Sequence, residues 1–113
     1  MKKSTSILLS SLVALGMLST AANASDASIK KGQKGYLKKC KKCHGNGTKG
    51  AAMKTQAEWK ELFANGGAGM ISVHKGTKGE KFFNGKKFKK LAPHLEKFLH
   101  EYGSDSGNTP SCG

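Results

Sequence analysis

Gly32-Gln33-Lys34-Gly35-Tyr36-Leu37-Lys38-Lys39-Cys40-Lys41-Lys42-Cys43-His44-Gly45 is the stretch from which the rest of the chain is read. Its first half is helical in pattern. Ile29, Tyr36, Leu37 and Cys40 give one apolar stripe, and lysines 30, 31, 34, 38 and 39 cover the remainder. The spacing predicts a helix over about 27–40, with Asp26 as its N-cap. The second half is the pentad Cys40-x-x-Cys43-His44. On a helical turn, residues three apart share a face, so two thiols stand side by side with an imidazole directly after them.

That pattern is the attachment signature of c-type haem. Two thiols on one face can meet the two vinyl groups at one haem edge, and His44 then swings under the iron as the proximal ligand. The other nitrogen of such an imidazole is normally held by a second-shell hydrogen bond. Rival readings are weaker. A thioredoxin-like dithiol needs a βαβ setting, and no run of β-branched strand residues supplies one. A structural zinc site needs four ligands, and no second Cys pair or His-x₃-His completes a set. A Cys40–Cys43 disulfide would close only a very small loop.

Residues 1–24 read as a secretory signal peptide. Lys2 and Lys3 form its basic start, Ile7 to Leu18 its apolar stretch, and Ala22-Asn23-Ala24 its small-x-small cleavage pattern. The apolar run is too short to span a bilayer, so no membrane span is expected in the mature chain. The expected destination is a bacterial periplasm. The whole chain has 113 residues and a net charge of +13, with 20 basic side chains that are all lysine. Removing the leader leaves 18 lysines against 7 acidic residues. Such charge suggests nucleic acid, but bidentate readout of bases and phosphates relies on the arginine fork, and arginine is missing. No nucleic-acid partner is expected. A mature chain this short has a thin core, which disulfides, a metal or a cofactor commonly reinforce.

Two further helices are expected. Thr55-x-x-Glu58 is a capping-box pattern; Trp59, Leu62 and Phe63 form the buried face behind it, and Asn65-Gly66-Gly67 ends that helix. From about Gly85 to Tyr102, Phe88, Leu91, Ala92, Leu95, Phe98, Leu99 and Tyr102 recur at helical spacing, with Gly103 as the stop. Pro93 marks a kink or a restart. No strand is expected, so the fold class is all-α. Ser104 to Gly113 reads as a flexible polar tail carrying Cys112, to which no role is assigned.

The order glycine, aromatic, thiol at four-residue intervals (Gly32, Tyr36, Cys40), followed by Cys43-His44-Gly45, resembles the N-terminal helix of class I cytochromes c. The resemblance covers about 29–102. It implies a small cytochrome c-like domain over 25–103: first and last helices crossing at Gly32 and Tyr36, a short middle helix, and loops wrapped round one covalent haem c. It also implies an electron carrier rather than an enzyme. Asn65-Gly66-Gly67-Ala68-Gly69-Met70 is similar to the loop that delivers the axial methionine in that family. Here Ile71 stands where a proline commonly follows, and the interval from His44 is short. The loop likeness makes Met70 the expected distal ligand against both departures, with His74 on the same loop as the alternative. His94, His100 and Met53 are lesser candidates, Met53 being read as packing under the haem. Lys38, Lys39, Lys41, Lys42 and Lys49 bracket the motif and would rim a haem edge facing acidic redox proteins. A haem protein that binds or senses small ligands at a weak or open sixth position is the alternative function. Glu58 and Glu61 read as solvent-facing, with no hydrolytic constellation around them. A monomer is expected.

Overall fold

The computed structural model describes residues 18–111. The first 17 residues of the expected leader, and Cys112, lie outside the described residues. Among the described residues every regular element is a helix, in the order α1 (Leu18–Lys39), α2 (Lys41–His44), α3 (Gly47–Ala51), α4 (Gln56–Val73), α5 (Glu80–Phe83) and α6 (Lys86–Glu101). The chain is all-α, as its periodicities require. None of these helices is long and apolar enough to cross a membrane.

The main buried interface lies between α1 and α6. Ser28 Oγ meets His94 Nδ1 at 2.6 Å. Gly32 lies against the His94 carbonyl and Phe98, Gly35 against Leu91, and Tyr36 against the Phe98 ring at 5.8 Å. These pairs do not advance in step along the two helices, so the helices cross rather than run alongside each other. Gly32 and Gly35 make the crossing close, because a Cβ at either position would overlap α6. The helix α6 contributes Phe88, Ala92, Leu95, Phe98 and Leu99 to the core. Its expected stripe is therefore the buried one. Pro93 sits on the exposed side of α6, inside one continuous helix. The missing N–H there costs a single ladder bond, and a solvent-facing carbonyl can be hydrated instead.

Two local readings need adjustment. Helix α1 is already in place at Leu18, the first described residue, rather than beginning after Asp26, because Ser19 to Ser25 contains no proline or glycine to stop it. Asp26 is therefore an exposed residue within α1, not its cap. The helix α4 is two pieces: Ala64, Asn65, Gly66 and Gly67 leave helical geometry, the last three with positive φ. The Asn-Gly-Gly stop thus ends the first piece where the sequence places it, and a second short piece carries the chain on to Val73.

The capping box is formed as read. Thr55 Oγ1 accepts from Glu58 N at 3.2 Å, and Glu58 Oε1 accepts from Thr55 N at 2.9 Å. Those hydrogen bonds, with the backbone one first, hold the Glu58 carboxyl below its ordinary range. Residues 104–111, read as a loose tail, are fastened to the body. Ser104 N donates to the Lys54 carbonyl, Asp105 Oδ1 accepts from Gln56 N, Gln33 Nε2 donates to the Ser111 carbonyl, and Pro110 is buried. Turn-forming residues let the segment fold back on itself, and the free backbone groups at the start of α4 give it partners.

Candidate cofactor-binding site

The pentad forms one helical turn. Cys43 N and His44 N both donate to the Cys40 carbonyl, at 3.1 and 2.9 Å, so α1 passes into α2 with only a slight break at Cys40. Gly45 then reverses the chain at φ 83°, a conformation that favours glycine. The Gly45 carbonyl accepts from the Tyr36 hydroxyl at 2.9 Å, tying the end of the motif back to α1. Gly50 of α3 packs directly on the same tyrosine, leaving no room for a side chain. Asn46 caps α3 by accepting from Lys49 N. The Ala51 carbonyl accepts from the Trp59 indole N–H at 2.8 Å, which joins α3 to α4.

These ties frame a cavity of about 490 Å³, within the size range of cofactor sites. Cys40, Cys43 and His44 form one wall. Met70 and His74, on the second piece of α4, belong to the lining as well, and Trp59, Leu95 and Leu99 make much of the rest apolar. Lys39, Lys54 and Lys78 are its charged members. The two conspicuously exposed large hydrophobics among the described residues, Met53 at 51% and Val73 at 59%, also border this cavity. An apolar group seated there would cover surface that is otherwise costly to leave in water.

Burial pushes the Cys40 thiol up to about 11, with a smaller contribution from Cys43. A redox-active dithiol needs the opposite, a depressed thiol that is ionised near neutrality. Burial likewise raises the Tyr36 hydroxyl to about 12, helped by the neighbouring Cys40. No group of three or more His, Cys, Asp or Glu residues able to hold a bare metal ion is found among the described residues. Two thiols and an imidazole therefore share the lining of a largely apolar cavity.

The five candidates for a second axial ligand separate by position. Met53, Met70 and His74 line the cavity. His94 instead pairs with Ser28 at the α1–α6 crossing, and His100 offers its carbonyl to Gln56 Nε2; neither belongs to the cavity lining. Met70 is buried within the hydrophobic core. His74 is the C-cap of α4. Its Nδ1 lies 2.7 Å from the Met70 carbonyl, and its ring stacks on Phe83 at 3.9 Å and 15°. Phe82, Phe83 and Phe88 form an aromatic cluster behind it. The sequence reading passed over Phe83, since α5 is a single turn too short to show a period. A Phe-Phe pair between two glycines was the available signal.

The expected lysine rim is exposed: Lys38, Lys39, Lys41, Lys42 and Lys49 all face solvent. Lys39 Nζ lies 5.5 Å over the Phe82 ring. Glu58 and Glu61 are exposed on α4. Comparisons with models of protein families, with curated proteins and with solved structures gave no match.

Proposed function

We propose that this chain is an exported monohaem c-type cytochrome that carries single electrons between redox partners. Cys40 and Cys43 would hold one haem c through thioether bonds, and His44 would be the proximal iron ligand. The observation that carries the reading is the placement of Cys40, Cys43 and His44 on one helical turn in the wall of a largely apolar cavity. When bound, the haem supplies a ferric–ferrous couple. The chain's own part is to exclude water from that couple and to present a charged rim. Trp59, Leu95 and Leu99 make the lining apolar, and a dry, apolar surround is one of the levers on such a potential. The exposed lysines around the motif give that face a positive field, which speeds encounter with acidic redox proteins and is weakened by salt.

Production in a host with haem-attachment machinery tests the reading. Intact mass should equal the cleaved chain plus one haem, and the reduced protein should show the sharp visible bands of a c-type cytochrome. Cys40→Ala with Cys43→Ala should abolish both. Protein that leaves the same host without covalent haem would sink the proposal. Carbon monoxide binding to the native ferrous protein would instead favour a small-ligand sensor.

A further inference from the structure

We infer that His74, rather than Met70, is the residue that faces His44 across the cavity as the second axial ligand; this rests on the haem reading above. The rings of His44 and His74 stand 6.1 Å apart, centroid to centroid, with their planes at 90°. An imidazole nitrogen sits about 2.0 Å from a metal it ligates and roughly 1.1 Å from its own ring centre. Two imidazoles on opposite sides of one iron therefore stand roughly 6 Å apart. Trans ligands can take any rotation about their shared axis, a right angle included. The centroid separation in this fold is compatible with one metal atom between the two rings.

The setting of His74 is that of a prepared ligand. Its Nδ1 faces the Met70 carbonyl at 2.7 Å. A carbonyl accepts only, so in the neutral ring the proton sits on Nδ1 and the lone pair offered to a metal is on Nε2. The Phe83 ring, stacked 3.9 Å away, fixes the plane of the imidazole. Two contacts from different elements thus hold the side chain before any ligand arrives, which lowers the ordering cost of ligation. The Thr77 hydroxyl donates to the His74 carbonyl and fastens the backbone at the same point.

Met70 is one helical turn earlier on the same segment and lines the same cavity, but it is only 7% exposed and belongs to the core cluster. Its carbonyl orients His74, and its side chain fills the core beside the cavity, a common use of methionine. On this reading the two residues that compete in the sequence act together.

The test uses the intact, haem-loaded protein. Near-infrared magnetic circular dichroism of the ferric form separates His/His from His/Met ligation without any substitution, and the expected result is the His/His band. His74→Ala should convert the ferric spectrum to high spin and let the ferrous form bind carbon monoxide, while Met70→Leu should stay low spin and closed. His74→Met, which restores a strong axial donor, should return the spectrum to low spin with a higher reduction potential. A methionine–iron band in the wild-type protein, or an opened site in Met70→Leu with His74→Ala unchanged, would overturn the assignment. Absence of covalent haem in the wild-type mass is a different failure, since it removes the haem reading itself.

Discussion

Gly32→Ala is the most searching test of the helix crossing, because two opposed effects meet there and the structure decides between them. In an isolated helix the change stabilises by about 1 kcal/mol, since alanine is a far better helix former than glycine. At Gly32 the new methyl would stand 2.8 Å from Phe98 Cβ, against 3.4–4 Å for ordinary contact, and nearer still to the His94 carbonyl. Both obstacles are fixed to the α6 backbone, and the carbonyl, being the nearer, requires the helices to separate by roughly 1 Å or more at their closest point. Overpacking of this kind costs about 1–3 kcal/mol, and more when backbone has to move. The expected net loss is about 1–2 kcal/mol, a fall of roughly 1 M in the urea midpoint for a chain of this size. Gly35→Ala is the control. The nearest atoms to its methyl would be those of the Leu91 side chain, at 2.6 Å, which can turn aside, so the propensity gain and the crowding nearly cancel. Urea titrations followed by far-UV circular dichroism, with slopes compared, read both variants. A Gly32→Ala protein as stable as its parent, or less affected than Gly35→Ala, would refute the close-crossing argument.

Two further outcomes follow from local geometry. Thr55→Ala removes the Oγ1 acceptor of the capping box and should cost about 0.5–2 kcal/mol in the same titration, with the α-helical signal otherwise kept. The Tyr36 hydroxyl is raised from 10.0 to about 12 in the fold, so the folded state holds its proton longer than the unfolded one. Its stabilisation is fully present below pH 10 and is lost as pH climbs through about 12. Tyr36→Phe should flatten that alkaline decline while forfeiting about 1 kcal/mol at neutral pH with the Gly45 hydrogen bond. An unchanged alkaline limb would show that Tyr36 is not the group responsible.

What the sequence makes legible here is local. Thr55 and Glu58 fall within one turn of each other, the α6 stripe repeats for four turns, and three consecutive positive-φ residues are written as Asn-Gly-Gly. Cys40, Cys43 and His44 likewise sit within a single turn. The rest depends on segments distant in sequence. Nothing near Asp26 says that α1 continues through it, because a good capping residue is also tolerated within a helix when no breaker precedes it. The short α5 has no period to read, yet it supplies the Phe83 face against which His74 stacks. A choice between Met70 and His74 is a question about what lies opposite His44, and that is fixed by how α4 folds back over α6. The hold on residues 104–111 is of the same kind, made by partners at Gln33, Lys54 and Gln56.

The interruption in α4 also sets a rule about chain length. From Ala68 to Val73 the backbone is helical again, so each residue advances the direction of those that follow by about 100°. The bearing of the His74 ring, 6.1 Å from that of His44, follows from the count of residues after Gly67, much as a key's teeth depend on where its shoulder stops. One residue inserted between Gly67 and His74 would turn the imidazole away from the cavity while leaving composition and hydropathy almost untouched.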